Sequence, residues 1–184
     1  STLMRSSAAS DVYKRQIRML IQTGIPDKEA IEAVTPDETR FLKGAVAIAE
    51  CFQKIPCNPC TKACVKKAIH IEPDINETPK IDFDVCNGCG ACMLKCPGLA
   101  IFIVDKTYSP TEALVKLPFE FLPLPKKGEL ACGLNRSGEA LGWFPVVQLI
   151  QGGAKNKTNI VCLAVPKELA MDVRAIKVGG YQNG

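Results

Sequence analysis

Ten cysteines in 184 residues are the groups in this chain best able to do chemistry, and eight of them fall in two short runs. The later run is Cys86-Asn87-Gly88-Cys89-Gly90-Ala91-Cys92-Met93-Leu94-Lys95-Cys96-Pro97. Three of its thiols lie within seven residues, a crowding that suits three corners of an iron–sulfur cube. A zinc site would instead draw four ligands, as separated pairs, around one tetrahedral ion. The earlier run, from Cys51 to Cys64, is less regular. Cys57, Cys60 and Cys64 repeat the last two intervals of the later run, but Lys54 stands where a further thiol is expected. An ammonium group does not ligate iron usefully, so the missing thiolate would come from Cys51, three residues earlier on an apolar segment. The other reading makes Cys51 a buried strand cysteine, packed as a small hydrophobe.

Residues 45 to 105 resemble the two-cluster bacterial ferredoxins, whose two related halves each run strand, cysteine loop, short helix, strand. The stretches IPCNPCTKAC and CPGLAIFIVD resemble iron–sulfur proteins associated with flavin-dependent amino-acid dehydrogenases of the proline and hydroxyproline type. The ferredoxin resemblance implies two [4Fe-4S] clusters with crossed ligation. Cys51, Cys57, Cys60 and Cys96 would hold one cluster, and Cys86, Cys89, Cys92 and Cys64 the other. The chain departs from the family pattern at Lys54, and at Val65, where the first run would carry proline.

The elements that must position these thiols can be read from the flanking residues. Residues 17 to 44 should form a helical segment. Pro26 is placed as the first residue of a short helix, with Asp27 and Glu29 in its first turn. Thr35, Pro36 and Glu38 read as a capping box, and Gly44 as the stop of a second helix. Strands are expected at 45–52, 68–71, 80–84 and 100–104. Gly88 and Gly90 would let backbone approach a cluster and turn amides toward its sulfurs. Lys54, Lys62, Lys66, Lys67 and Lys95 could raise a cluster's potential, meet an acidic partner, or simply be solvated. His70 alternates with Ile69 and Ile71 and reads as an exposed strand residue.

After Asp105 the pattern changes. Residues 106 to 110 read as a linker. Short apolar runs at 114–117, 119–124, 129–134, 141–150 and 160–165 then suggest strands of a small antiparallel barrel or sandwich. Asn135-Arg136-Ser137-Gly138 is a turn, and Pro166 to Val173 a closing helix. Cys132 and Cys162 lie in strands without neighbouring ligands and read as buried structural thiols. The expected fold class is therefore α+β: a ferredoxin-like two-cluster domain at 45–105, followed by a small β domain at 106–184.

Composition limits the function. A hydrophobic content of 47% and a mean hydropathy of +0.07 describe a globular chain, and no apolar run reaches the roughly 18 residues of a membrane span. Clustered thiols without an export leader point to metal ligands in a reducing compartment, hence the cytoplasm. Residues 1 to 16 resemble translated adapter sequence and are set aside, which lowers the formal net charge from +4 to +2. That charge does not argue for nucleic acid. No GxGxxG fingerprint opens a helix, and Gly152-Gly153-Ala154-Lys155 lacks P-loop spacing, so no nucleotide or flavin site is expected in this chain. The expectation is a non-catalytic electron-transfer subunit in a hetero-oligomer, taking electrons from a flavoprotein that oxidises an amino acid, as the resemblance implies. The alternatives are a free ferredoxin, or a regulatory or nucleic-acid-binding protein with a structural cluster.

Overall fold

The computed structural model describes residues 20–154 and 156–184, and the chain divides into two compact units, Ser1–Ala33 and Val34–Gly184. The leader expected at 1–16 lies outside the described residues. In the first unit, helix α1 (Lys28–Ala33) begins where Asp27 Oδ1 accepts a hydrogen bond from the Ala30 N–H at 2.8 Å. Pro26 therefore lies outside the helix, and Asp27 meets one of the amides that a helix start leaves open. The second unit opens on α2 (Glu38–Phe41), whose cap is also an aspartate: Asp37 Oδ1 accepts from the Arg40 N–H at 2.7 Å. The capping box expected on Thr35 is thus displaced by two residues, because the Asp37 carboxylate reaches the open amide from directly before the first helical residue.

The strands expected around the cysteines are present in shortened form. β1 (Val46–Ala49), α3 (Pro59–Ala63) and β2 (Ile69–His70) make the first half. β3 (Lys80–Ile81), a 3₁₀ turn (Met93–Lys95) and β4 (Ile101–Asp105) make the second. β1 pairs antiparallel with β4, from Val46 opposite Val104 to Ala49 opposite Ile101, and β2 pairs with β3. His70 is exposed on β2, as its alternation predicted.

Beyond Asp105 the expectation needs correction. Residues 106–110 are the turn of a hairpin. Asp105 Oδ1 accepts from the Thr107 N–H at 2.9 Å, and Lys106 Nζ pairs with Glu38 at 2.7 Å while lying 4.2 Å from the centre of the Phe41 ring. β5 (Glu112–Phe119) consequently pairs with β4 and continues the same sheet. β6 (Glu129–Leu134), β7 (Ala140–Ile150), β8 (Asn159–Pro166), β9 (Ala175–Ile176) and β10 (Gln182–Asn183) complete it. The order is β1-β4-β5-β8-β7-β6-β10, with β9 also on β6. The two ends of this order do not pair with each other, so the sheet is open and antiparallel and is not a closed barrel. It turns instead along β7, which pairs with β6 through its first half and β8 through its second, with an irregularity between Val146 and Gln148. The run at 119–124 ends its strand at Phe119. The expected closing helix is reduced to one 3₁₀ turn, Lys167–Leu169, after which the chain is drawn into pairing with β6 through β9.

Alternation along the strands produces two cores. Val46, Ile48, Phe102, Val104, Val115 and Leu163 belong to a core closed by Phe41, Val173 and Ile176. Ala47, Ala49, Ile101, Ile103, Ile160 and Cys162 face the other way and pack with Cys60, Cys92 and Met93. The cysteine loops therefore sit on one side of a sheet whose opposite side carries the larger apolar core.

Candidate metal centres

Cys51 follows β1 on the strand parity of Ala47 and Ala49, which takes it to the cysteine side. Cys57 precedes α3, Cys60 lies in its first turn, and Cys96 ends the 3₁₀ turn. Together with Ile71 and Ile101, these four thiols line one apolar-walled cavity. Burial raises the Cys51 thiol above its ordinary range, and the neighbouring Cys96 and Cys57 raise it further. Burial likewise raises Cys60; the Thr61 amide opposes this, and Cys96, Cys57 and Cys51 add to it. Like-charge coupling of this kind requires sulfurs held close together.

A second group forms around Cys92, whose thiol is pushed up to about 12, first by burial and then by Cys86, with smaller contributions from Cys89 and Cys64. Cys64 is the C-terminal cap of α3, so adjacent turns of one helix serve different groups. The structure thus brings Cys51, Cys57, Cys60 and Cys96 together, and Cys64, Cys86, Cys89 and Cys92 together. Cys89 is exposed, while the other seven are buried or partly so. Cys132 and Cys162 are 6% and 0% exposed in β6 and β8 and belong to neither group.

The donor chemistry suits iron–sulfur clusters. Backbone amides donate to sulfur from Ala68 to Cys64 at 3.2 Å, from Ala100 to Cys96 at 3.4 Å, and from Ala47 to Cys86 at 3.5 Å. Such bonds favour a thiolate ligand over a thiol. Among the described residues, no three His, Cys, Asp or Glu side chains converge as a single ion requires. Gly88 has φ +63°, and a Cβ there would lie 2.5 Å from Ala45 Cβ, so the Cys86–Cys92 loop closes on β1 only with glycine at this point.

A repeat missed in the sequence links the two halves. Cys64-Val65-Lys66-Lys67-Ala68-Ile69-His70-Ile71 matches Cys96-Pro97-Gly98-Leu99-Ala100-Ile101-Phe102-Ile103 in its cysteine, alanine and two isoleucines. In both copies the residue before the alanine has positive φ, 56° at Lys67 and 51° at Leu99, and the alanine amide reaches the cysteine sulfur. The geometry comes from this turn, and either valine or proline after the cysteine supports it. Lys54, at the irregular ligand position, forms a 2.8 Å ion pair with Glu77.

Two groups of charged residues also escaped sequence reading. Arg40 donates from Nε to the Phe83 carbonyl and from its two terminal nitrogens to the carbonyls of Gly44 (3.0 Å), Ala45 (3.1 Å) and Cys86 (2.6 Å). Glu50 accepts from Arg136 at 2.8 and 2.6 Å and from Arg174 at 2.6 Å. Burial raises the Glu50 carboxyl, but hydrogen bonds from Arg136 and the charge of Arg174 outweigh it and hold the group below its ordinary range. A glutamate inside the apolar run AVAIAECF was the available signal, since a charge on a buried strand needs a partner.

Residues 79–102 match the family model for a 4Fe-4S binding domain. The chain is similar to the Ferredoxin-type protein NapF of Escherichia coli (strain K12), 33% identical over 66 residues, which are 35% of this chain and 39% of that protein. It is also similar to the Ferredoxin-type protein NapF of Haemophilus influenzae, 39% identical over 56 residues, 29% of this chain and 32% of the relative. The chain therefore spans well under half the length of these curated relatives. No solved structure matches it. The matched domain and these likenesses support an iron–sulfur protein of ferredoxin type.

Proposed function

We propose that this protein holds two [4Fe-4S] clusters, one on Cys51, Cys57, Cys60 and Cys96 and the other on Cys64, Cys86, Cys89 and Cys92, and serves as an electron-transfer subunit. The observation that carries the reading is the sorting of eight thiols into two groups of four, each drawing ligands from both sequence runs. Bound clusters of this kind take up and release single electrons. The chain's own residues supply thiolates, donate amides to their sulfurs, and wall the cavity of the Cys51, Cys57, Cys60 and Cys96 group with Ile71 and Ile101. Because α3 and the 3₁₀ turn each bridge both groups, the two centres lie close enough together to act in series.

The partner that best suits a chain of this kind is a flavoprotein dehydrogenase, whose two-electron product must be passed on singly. The resemblance of IPCNPCTKAC and CPGLAIFIVD to subunits beside amino-acid dehydrogenases supports an amino acid as that partner's substrate. Anaerobic iron and sulfide analysis with a reductive spin titration tests the clusters. About eight irons and eight sulfides per chain, with two interacting spins, are expected, and about four would overturn the two-cluster reading. Co-purification of the tagged chain with its genomic neighbours tests the partner: a flavoprotein is expected, and a monomer reduced equally well by unrelated reductases would overturn the subunit reading.

A further inference from the structure

Buried positive charge adjoins one ligand residue of each thiol group, Cys86 and Cys51, and is supplied by residues outside the cysteine runs. Arg40 is 7% exposed, and its four acceptors are all backbone carbonyls, including that of Cys86. Among the described residues it makes no ion pair, so its full charge sits against the residue whose sulfur accepts from Ala47. On the other side, the β1–β4 ladder continues to Glu50, whose N–H donates to the Ala100 carbonyl at 2.8 Å. Strand parity then sends Glu50 to the face of Val46 and Ile48, back to back with Cys51. There, two guanidiniums share its single carboxylate. Side-chain exposures are 7% for Glu50, 15% for Arg136 and 4% for Arg174. Asp172, 54% exposed, stands 4.0 Å from Arg136 and is screened by water. The buried part of the group thus holds two cations and one anion, a net positive charge of one, while the second carboxylate, Asp172, which also acts on Arg174, stands at the exposed edge.

We propose that each cluster is backed by one net buried positive charge, Arg40 behind the Cys64, Cys86, Cys89 and Cys92 group and the Glu50–Arg136–Arg174 triad behind the Cys51, Cys57, Cys60 and Cys96 group. These are positioning residues that also set potential, because a buried cation favours the more negative, reduced form of a nearby cluster. The inference rests on the two-cluster reading above. It assigns the strands after Asp105 a part in tuning, since Arg136 comes from the β6–β7 turn and Arg174 from the segment before β9.

The test is a mediated redox titration, followed by electron paramagnetic resonance, on the full chain carrying its iron. R40Q should lower one midpoint potential and leave the other in place, and R136Q should lower the other. E50Q removes the carboxylate with little change of shape and should raise the same potential that R136Q lowers. Loosened packing alone would move E50Q and R136Q in the same direction. That result, or unchanged potentials in all three variants, overturns the inference. Should the glutamine variants lose iron, R40K and R136K carry the test: they keep the charge and should hold the wild-type potentials, and a shift in either overturns it. Wild-type iron content separates the two levels. Eight irons with unmoved potentials defeats this inference alone, whereas four irons in the wild type defeats the reading beneath it.

Discussion

Truncating Glu50 to alanine should destabilise the second unit by about 3–5 kcal/mol, the cost of leaving buried guanidiniums without their carboxylate. The size follows from burial and geometry. Glu50 accepts three charge-assisted hydrogen bonds of 2.6–2.8 Å, and its side chain is 7% exposed. Arg174, 4% exposed, would be left with the carbonyls of Ala170 and Val173, the Met171 sulfur and the face of Phe102. An exposed pair in the same unit gives the contrast: Lys43 and Asp84 meet at 3.1 Å with side chains 63% and 82% exposed, a class worth about 0–1 kcal/mol. For a unit of this size, 1 kcal/mol moves Tm by about 2–4 °C, so E50A should lose about 6–20 °C and D84A about 0–4 °C. Circular dichroism melts of the anaerobic, iron-loaded chain at one fixed scan rate measure both. An E50A loss no larger than that of D84A would refute the argument that burial makes the triad structural.

Three further expectations can be checked on the same material. The Glu50 carboxyl is depressed in the folded chain below its ordinary value of 4.5, so the triad's contribution is complete above that pH and is lost as pH falls through the lower folded value. The Tm gap between wild type and E50Q should therefore hold steady from neutral pH to about 4.5 and narrow below it; a gap that widens in acid would refute the sign. Gly88→Ala places a Cβ 2.5 Å from Ala45 Cβ at φ +63° and should reduce iron from about eight toward about four per chain, whereas Gly98→Ala, with nothing within 4 Å, should not. Cys51→Ala should likewise cost about four irons, while Cys132→Ala and Cys162→Ala should keep about eight; loss of iron on replacing either buried strand thiol would reassign the ligands.

What the sequence determined by itself was local. Two-, two- and three-residue intervals leave Cys86, Cys89, Cys92 and Cys96 little freedom, because a few peptide units cannot carry thiols far apart. Short apolar runs marked β1 and β4, and Asn135 to Gly138 formed the expected turn, with Asn135 Oδ1 accepting from Ser137 and Glu139 at 2.9 Å. The grouping of Cys51 with Cys96 was legible only through a family resemblance. In the structure it follows from the antiparallel pairing of β1 with β4, which brings together residues 45 positions apart. Tertiary structure alone decided that the chain after Asp105 continues the cysteine-bearing sheet, since an apolar run specifies a strand but not which edge it joins. It also decided where the buried charge sits. Arg136 and Arg174 lie 86 and 124 residues from Glu50, and an ion pair over such distances leaves no periodicity in either segment. Spacing wrote the thiols into the chain, while the partners of the charges exist only once the sheet has closed the distance between them.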